Sequence, residues 1–448
     1  MPLSQHLFIP DGEPHVFNDK LYLYGSKDVE NGIVGNEQTW CSTSYSVVST
    51  SDLMAWEEEK NAFRVEDFPA EIKPEGATRL WAPDVCCHPI NKKYYLFSCT
   101  NKGGIFVSES EQPTGPFINI KKVTLGGEPI FQKTIDPGVF VDDDDSIYLV
   151  WPGANMHPWS IGQLSPDDLS LVIPETVRPI DGLIEPYEGP SLRKRGNIYY
   201  YIYIKNDGPW ADYNNSPTVM AYMTSPHPLG PYTYQGKIIE SSSYGGGKKN
   251  IHGSIVEWKG EWYVFYHLPL QGYKFTRMAC ARKISFNHDG TIPQVLLNSC
   301  GPFDAFEIND VVPATSAVFF SGGTHCQMCD FSNFEMPYLY FKKQDEYVGY
   351  RYVNFGNGEC QSILLTGQFP VDATLEMRAD EPDGQLLGTF LITGSSKNQS
   401  LSTTPVSYLS HRHSIYLKVI YLSGNISIKV FDFVFRCGSI INYNQEKK

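Results

Sequence analysis

The sequence predicts an all-β protein, a five-bladed β-propeller followed by a jelly-roll-like β-sandwich. Two observations carry this prediction: a repeat that occurs five times between residues 11 and 266, and a change of strand rhythm after about residue 309. The composition agrees, because 28 Tyr and 25 Phe favour strands while 38 Gly and 31 Pro favour turns. A chain of 448 residues holds about two domains, which we expect at residues 1–309 and 310–448.

Each repeat places an acid or a histidine beside a turn residue, followed 11 or 12 positions later by the central tyrosine of an aromatic, β-branched run. Turn residues separate the two halves, so each copy predicts a β-hairpin. Successive tyrosines lie 52 to 73 positions apart, which leaves room for two more strands and so for a four-stranded propeller blade. The five pairs of head residue and tyrosine are Asp11 and Tyr22, Asp84 and Tyr95, Asp136 and Tyr148, Glu188 and Tyr200, and His252 and Tyr263.

These head residues are predicted to meet at one mouth of the propeller axis. A single acid beside Gly or Pro is usually a turn residue. Several acids at matched positions of a repeat are different, because a propeller gains no stability from gathering negative charge. Crowded carboxyls raise one another's pKa, so that one can act as a general acid while a more solvated partner stays ionised as a base. Two such acids indicate glycoside hydrolysis.

The bulk properties exclude several classes of protein. A formal net charge of −14 without a basic stretch argues against a nucleic-acid partner. There is no apolar run long enough to span a bilayer, and Met1–Ser4 lead directly into the first repeat without a signal peptide. Cys86, Cys87, Cys99 and Cys280 lie in apolar strands and are expected to be free thiols. We therefore expect a cytoplasmic protein, with a secreted protein whose leader was trimmed as the alternative.

Three further motifs are predicted to carry no chemistry. Asp142–Asp145 lack the central Gly and distal Glu of a calcium loop and are expected to form a solvated hairpin turn. Gly245–Lys249 have no following Ser or Thr, so we expect a flexible loop rather than a phosphate site. Cys326 and Cys329 have no second pair at zinc spacing.

The motifs occur in an order that resembles glycoside hydrolase family 43, over roughly residues 6 to 300. The resemblance implies a five-bladed propeller that cleaves arabinose, xylose or galactose glycosides with inversion. The motifs are Pro10-Asp11-Gly12-Glu13-Pro14, Trp81-Ala82-Pro83-Asp84-Val85, Ile135-Asp136-Pro137-Gly138-Val139, Glu188-Gly189-Pro190-Ser191 and His252-Gly253-Ser254.

The resemblance also implies roles for five residues. Asp11 matches the general base, Glu188 the general acid, and Asp136 the carboxylate that orients the acid and tunes its pKa. His252 resembles a histidine near the axis that lies beside a hydrated calcium or sodium ion and close to the substrate. Arg277 resembles an arginine that contacts the sugar. No cofactor is implied for the chemistry itself.

Three positions near these residues need separate interpretation. Many family members have Ala-Asp-Pro around the base, so Glu13 competes with Asp11; we favour Asp11 because its offset to Tyr22 equals that of Asp84 to its own tyrosine. Asp84 is expected to be partly structural. Trp81 is predicted to stack on a sugar face.

The predicted function is an exo-acting, inverting glycoside hydrolase that removes α-L-arabinofuranosyl or β-D-xylosyl units from plant-type polysaccharides or oligosaccharides. Inversion requires the two carboxyls to lie ~6.5–9.5 Å apart. The alternatives are a β-galactofuranosidase or galactan-active hydrolase, and a sugar-binding propeller without activity. Retaining fructosyl hydrolases share the fold, but their Asn-Asp-Pro-Asn and Arg-Asp-Pro motifs are absent. The loop at residues 206–217 is expected to influence the choice of sugar, and the oligomeric state is left open.

The C-terminal region resembles carbohydrate-binding module family 6. Strand-like segments alternate there with Gly, Asn and Ser turns at the spacing of a β-sandwich. The segments are Tyr347–Val353, Ala373–Arg378, Ile415–Val419 and Phe431–Phe435. Capture of sugar and bracing of the propeller are equally compatible with this pattern.

Overall fold

The computed structural model describes residues 3, 8–28, 42–130, 134–153, 158–207, 217–241, 250–269, 277–321, 327–328, 338–357 and 360–437. Within these ranges the strands form seven sheets, and the prediction of an all-β protein is confirmed. No helix among them is long and apolar enough to cross a membrane. The helices are 3-10 turns of three residues at Val65–Asp67, Pro174–Thr176 and Ala314–Ser316.

The first two blades are antiparallel sheets whose strands follow one another in chain order. Blade 1 contains β1 (Glu13–Phe17), β2 (Lys20–Ser26), β3 (Ser44–Thr50) and β4 (Glu57–Arg64). Blade 2 contains β5 (Leu80–Cys87), β6 (Tyr94–Thr100), β7 (Ile105–Ser110) and β8 (Ile118–Lys122).

Blade 4 repeats this four-stranded chain order, blade 3 has three additional short strands and one parallel pair, and three strands of blade 5 are described. Blade 3 contains β9 (Thr124–Leu125), β10 (Glu128–Pro129), β11 (Gly138–Val141), β12 (Ile147–Trp151), β13 (Ser160–Ser165), β14 (Asp168–Val172) and β15 (Arg178–Pro179). Blade 4 contains β16 (Pro186–Arg195), β17 (Ile198–Asn206), β18 (Thr218–Ser225) and β19 (Thr233–Glu240). In blade 5 the described strands are β20 (Ile255–Trp258), β21 (Glu261–Pro269) and β22 (Arg277–Ile284). The Leu3 N–H donates to the Ala279 carbonyl beside β22 (2.7 Å).

The aromatic runs are apolar at every position because each second strand is buried on both of its faces. Side chains of a strand alternate between its two faces. In β2, Tyr22 and Tyr24 pack against blade 2, whereas Leu21 and Leu23 pack against blade 5. Burial of each large apolar side chain contributes roughly 1.5–3 kcal/mol.

Five apolar cores, one between each pair of neighbouring blades, close the circle. The core between the fifth and first blades joins the two ends of the ring, which defines a five-bladed propeller. Representative members are Phe63 and Leu96 (blades 1 and 2), Phe97 and Leu149 (2 and 3), Ile161 and Tyr201 (3 and 4), Tyr222 and Val264 (4 and 5), and Leu23 and Phe265 (5 and 1).

The C-terminal domain consists of two six-stranded sheets around a separate core that includes Leu339, Tyr350, Leu375 and Phe433. One sheet has the order β23, β28, β33, β30, β31, with β25 beside β28; the other has the order β26, β27, β34, β29, β32, with β24 beside β34. The strands are β23 (Phe306–Glu307), β24 (Val312–Pro313), β25 (Phe319–Phe320), β26 (Gln327–Met328), β27 (Tyr338–Phe341), β28 (Tyr347–Asn354), β29 (Ser362–Gln368), β30 (Ala373–Ala379), β31 (Leu386–Ile392), β32 (Asn398–Thr403), β33 (Arg412–Leu422) and β34 (Ile428–Arg436).

The two domains are packed together. Val318 lies in the core between blades 4 and 5, and the Ser299 N–H donates to the Arg351 carbonyl (2.6 Å). The last propeller strand ends at Ile284, while Phe306–Glu307 already pair with the sandwich. The boundary between residues 309 and 310 stays a prediction.

Two of the minor motifs, the glycine-rich segment at residues 245–249 and the cysteines at 326 and 329, lie outside the described residues. The acidic run forms the turn between β11 and β12, but it is not fully solvated, because Asp142 is buried and binds Lys194 Nζ (2.6 Å) and the Tyr199 hydroxyl (2.5 Å). The described cysteines are free thiols, most of them buried. A cytoplasmic location stays a prediction.

Candidate active site

The six residues singled out from the sequence line one cavity of about 210 Å³. They come from all five blades and lie in, or up to three positions before, β1, β5, β11, β16 or β20, except for Arg277 at the start of β22. The described wall of the cavity consists of Asp11, Trp81, Ala82, Ile135, Asp136, Tyr187, Glu188, His252 and Arg277.

A second level of side chains lies one step deeper along the axis. Its members pair with the residue two positions after the central tyrosine of their blade. We call this set the deep layer. It comprises Glu13, Asp84, Gly138, Ser191 and Ser254.

The prediction that Asp84 meets the other head residues at the mouth is wrong. Asp84 pairs with Phe97 and belongs to the deep layer, whereas Ala82 lines the cavity. The reason is loop length: two residues join β1 to β2 but six join β5 to β6, so an equal offset to the tyrosine places Asp84 two positions deeper. Asp84 is fully buried and accepts the Val139 N–H of blade 3 (2.7 Å).

Asp11 and Asp136 both have left-handed backbone conformations, with φ of 59° and 50°. This region is unfavourable for residues other than Gly, although Asp and Asn tolerate it better than most. Asp11 lies two positions before β1, and Asp136 lies two positions before β11. Such strain concentrates at functional sites, where the surrounding structure holds it in place.

Asp11 has the surroundings of an ionised carboxylate. Arg277 Nη1 donates to Asp11 Oδ1 (2.7 Å), and Arg277 is itself held by Asp28 through Nε and Nη2 (3.0 Å each). Burial opposes ionisation, but Arg277, His267 and His252 together hold the pKa of Asp11 below its usual value. Arg277 therefore fixes Asp11, and its contact with a sugar stays a prediction.

Glu188 has the opposite character. Burial, followed by the negative charge of Asp11, raises the pKa of Glu188 to about 7. Its side chain is 19% exposed, and Asn250 Nδ2 donates to Oε1 (3.1 Å). At neutral pH a large fraction of Glu188 is therefore protonated.

Asp136 lies beside Glu188. Burial raises the pKa of Asp136 well above its usual value, and the charges of Glu188 and Asp11 raise it further. The Gly189 N–H donates to the Asp136 carboxylate, so Asp136 holds the backbone next to Glu188. Cys99 Sγ accepts the Asp136 N–H (3.2 Å).

His252 lies between the two candidate catalytic carboxyls. Its Nδ1 is 3.7 Å from Asp11 Oδ1 and 3.9 Å from Glu188 Oε1. Burial lowers the pKa of His252, which is therefore neutral at pH 7. The close approach of its ring requires Gly189, because a Cβ there would lie 2.6 Å from His252 Nε2.

Trp81 forms a side wall and is held from behind by Tyr45, whose hydroxyl donates to the Trp81 carbonyl (2.5 Å). Its indole Nε1 is buried and has no hydrogen-bond partner among the described residues. Trp81 thus lines the cavity, and stacking of its ring on a sugar stays a prediction.

The two acids of the deep layer, Glu13 and Asp84, each bind a basic side chain next to the layer. Arg193 Nη2 donates to Glu13 Oε2 (2.6 Å), and the Ser191 hydroxyl donates to the same oxygen (3.2 Å). His15 Nε2 lies 2.5 Å from Asp84 Oδ1. Glu13 thus binds Arg193 below the cavity. Of the two candidate bases, Asp11 and Glu13, only Asp11 lines the cavity.

Four residues of the site were not predicted from the sequence: Tyr187, Asp28, Asn250 and His267. Tyr187 precedes Glu188 and lines the cavity. The other three support Arg277 or Glu188 from behind. Position in the repeat could have pointed to Tyr187, but Asp28 and His267 lie at strand ends that carry no motif.

A five-bladed propeller with an ionised aspartate and a protonated glutamate in one axial cavity has the parts of a glycoside hydrolase. The sequence model of glycosyl hydrolases family 43 matches residues 7–292, and the chain belongs to this family. The predictions of family, fold class and glycoside hydrolysis are confirmed. The family match does not reach the sandwich, whose resemblance to a carbohydrate-binding module stays a prediction.

Curated relatives and solved structures agree with this assignment. A xylosidase/arabinosidase of Thermoclostridium stercorarium is 33% identical over 66% of this chain and 66% of its own length. An arabinoxylan arabinofuranohydrolase of Bacillus subtilis is 26% identical over 96% of this chain and 91% of its own length.

Among solved structures, a Bacillus subtilis family 43 arabinoxylan arabinofuranohydrolase in complex with cellotetraose covers 98% of this chain and 97% of its own, with a TM-score of 0.56 and 24% identity, and supports the two-domain fold. A β-xylosidase/α-arabinofuranosidase from a compost metagenome, in complex with xylotriose and in a calcium-free form, has a TM-score of 0.53 and 27% identity over 66% of this chain and 97% of its own.

Proposed function

We propose that the protein is an inverting, exo-acting glycosidase that removes α-L-arabinofuranosyl or β-D-xylosyl units. The observation that carries the proposal is the pairing, in one cavity, of Asp11, ionised by Arg277, with Glu188, whose pKa is raised to about 7. The names of the Thermoclostridium and Bacillus relatives support these two sugars.

In the proposed mechanism Glu188 gives its proton to the glycosidic oxygen as the bond to the anomeric carbon breaks. Asp11 takes a proton from the water that attacks the opposite face of the sugar, so the product has inverted configuration. Asp136 holds the backbone beside Glu188 through the Gly189 N–H, and we assign it the tuning of the acid because the two neighbouring carboxyls repel each other when both are ionised. Both proton carriers are side chains, so the chemistry needs no cofactor.

The shape of the cavity supports exo action. Below the cavity, Glu13 and Asp84 of the deep layer and the adjacent Arg193 are all buried. The volume of about 210 Å³ is below the ~300–1,000 Å³ typical of pockets for larger ligands. A blind cavity of this size admits one terminal sugar, with Trp81 as the stacking wall.

We also propose His252 as the axial residue beside a hydrated calcium or sodium ion. Its neutral imidazole lies among the carboxyls of Asp11 and Glu188, with those of Glu13 and Asp84 one level below. Such oxygen-rich, negative surroundings suit a hard cation. A bound cation would supply positive charge that offsets the crowded carboxylates. Thermal unfolding of the EDTA-treated protein, measured before and after calcium or sodium is added, tests this proposal. We expect the added ion to raise the melting temperature of the wild type but not that of His252→Gln.

The proposed function is tested with 4-nitrophenyl arabinofuranoside, xyloside, galactofuranoside and galactoside, and by NMR detection of the anomer first released. We expect cleavage of the first or second substrate with inverted product, and loss of most of the activity of Glu188→Gln on an oligosaccharide. Release of the retained anomer would contradict inversion. If wild type binds a saccharide but cleaves none of them, the sugar-binding propeller is the better description.

A β-D-galactofuranosidase activity is the second candidate. It is favoured by a relative of that name from Aspergillus niger, 26% identical over 63% of this chain. Preference for the galactofuranoside in the same panel would select it.

A further inference from the structure

A continuous chain of hydrogen bonds runs behind the cavity from Asp11 to Glu188. The Asp11 N–H bonds to His267 Nδ1 (2.9 Å). His267 Nε2 lies 2.5 Å from Asn250 Oδ1, and Asn250 Nδ2 bonds to Glu188 Oε1 (3.1 Å). His267 is fully buried and Asn250 is 8% exposed, so water has little access to this chain.

The direction of every bond in this chain follows from its first member. A backbone N–H can only donate, so His267 Nδ1 must accept and the ring proton must be on Nε2. Nε2 then donates to the oxygen of Asn250, which turns the amide N–H₂ toward Glu188. Arg277 Nη1, another obligate donor, faces the same Asn250 oxygen at 3.5 Å and requires the same orientation.

The direction of these hydrogen bonds determines which oxygen of Glu188 is favoured to carry the proton. Glu188 Oε1 accepts an N–H from Asn250, so an acidic proton is favoured on the other oxygen, Oε2. A general acid must present its proton to the leaving-group oxygen within hydrogen-bond reach. A carboxyl with one oxygen held in this way keeps its proton-bearing oxygen in one direction.

We propose that Asn250, held by His267, is a positioning residue that aims the Oε2 proton of Glu188 at the leaving group. The proposal rests on the proposed function, in which Glu188 is the general acid. His267 binds the main chain of Asp11 and, through Asn250, the side chain of Glu188, so it also ties the acid to the backbone of the base. Neither residue lines the cavity, so a direct contact with the sugar is not part of this role.

The test compares two leaving groups in Asn250→Leu, which removes the amide but keeps the volume. A sugar leaving group needs a proton at bond cleavage, whereas 4-nitrophenolate needs little help. We expect kcat on an oligosaccharide to fall about 10- to 100-fold, kcat on the 4-nitrophenyl glycoside to fall much less, and KM for both to stay near wild type. An equal fall in kcat for both substrates would overturn the proposal and indicate a structural role.

A matched pair of variants at His267 provides the control. His267→Gln keeps one acceptor for the Asp11 N–H and one donor for Asn250, so it should restore the leaving-group pattern of wild type. His267→Leu has neither group and should behave like Asn250→Leu. If both His267 variants show the same dependence on the leaving group, the proposed role of the hydrogen-bond chain from Asp11 to Glu188 is wrong. This result can be obtained even if Asn250→Leu does not fold.

Glu188→Gln, measured in parallel, separates this proposal from the proposed function. Wild-type turnover of the oligosaccharide by Glu188→Gln would overturn the assignment of Glu188 as the acid, and with it the positioning role of Asn250. If Glu188→Gln loses turnover but Asn250→Leu keeps the wild-type ratio of kcat on the two substrates, only the positioning role of Asn250 is overturned.

Discussion

Two carboxyls in one cavity differ in protonation because of their nearest neighbours. Asp11 is bound by the Arg277 guanidinium, which Asp28 holds in place. Glu188 has an amide donor, Asn250, and the negative charge of Asp11 nearby. Burial alone raises the pKa of any carboxyl, so the cation at Asp11 is what separates the two.

At the residue scale, removal of either proton-transfer group should abolish turnover of natural substrates but with different leaving-group behaviour. Glu188→Gln should lose roughly 10²- to 10⁴-fold in kcat on oligosaccharides and recover part of it on 4-nitrophenyl glycosides. Asp11→Asn should not recover, because activation of water is needed for every leaving group. Initial rates on both substrates, with binding measured by calorimetry as the control, check this; wild-type turnover in either variant contradicts it.

The pH profile of kcat/KM follows from the two pKa shifts. Activity needs Asp11 ionised and Glu188 protonated, so it should rise with pH through the lowered pKa of Asp11 and fall as pH passes about 7, the pKa of Glu188. The charge of Glu188 raises the pKa of Asp136; if this repulsion also acts on Glu188, Asp136→Asn should move the falling limb to lower pH. An unchanged falling limb would show that Asp136 does not tune the acid.

At the element scale, hairpin geometry decides which side chains reach the cavity. The β1–β2 turn consists of Asn18 and Asp19, both with positive φ (50° and 63°), as a tight two-residue turn requires. The β5–β6 loop is four residues longer, and the acid at the same sequence offset drops to the deep layer. Strand register is therefore the step that converts a sequence motif into a cavity residue.

Two glycines of the β16–β17 hairpin give a matched test of this packing. Gly189 and Gly196 both have positive φ (65° and 57°), so an Ala costs each about 1–2 kcal/mol of backbone strain. Only at Gly189 would the new Cβ strike a neighbour, His252 Nε2 at 2.6 Å; nothing lies within 4 Å at Gly196. We expect both variants to lose thermal stability, but only Gly189→Ala to lose activity as well.

Measurement of melting temperature and kcat for the two glycine variants decides the point. Equal activity in Gly189→Ala and Gly196→Ala would show that the position of His252 is not critical for turnover.

At the scale of the whole molecule, the acids of the deep layer and the basic side chains beside them tie the five blades together at the axis. Arg193 of blade 4 binds Glu13 of blade 1 and the Ile255 carbonyl of blade 5. Asp84 of blade 2 binds His15 of blade 1 and the Val139 N–H of blade 3. These polar contacts supplement the five apolar cores between the blades.

Breaking the buried ion pair should destabilise the propeller. Burial raises the pKa of Glu13 to about 8 although Arg193 opposes this shift. Above that pH, Arg193→Met leaves the Glu13 carboxylate buried without its cation, which costs about 3–5 kcal/mol, so we expect a clearly lower melting temperature there. The double variant Glu13→Gln/Arg193→Met removes both charges and should recover much of the loss. Thermal unfolding by circular dichroism measures both, and additive losses in the double variant would contradict the ion-pair interpretation.

Much of the site could be predicted from the sequence because the repeat marks equivalent strand starts. Asp11, Asp136, Glu188 and His252 all line the cavity. The prediction that Asp84 lines the cavity was wrong, because an offset counted along the chain ignores the length of the intervening loop. Asn250 and His267 could not be predicted, since their function depends on partners 62 and 256 positions away.

The sequence by itself determined the strand content, the number of blades and the side chains at the start of each blade. These depend on local propensity, alternation and turn chemistry, which act within a few residues. Only the tertiary structure decided which acid is ionised, which is protonated, and which lies below the cavity. Those properties depend on closure of the ring, because closure buries the carboxyls and brings Arg277, Asn250 and Arg193 to them from distant parts of the chain.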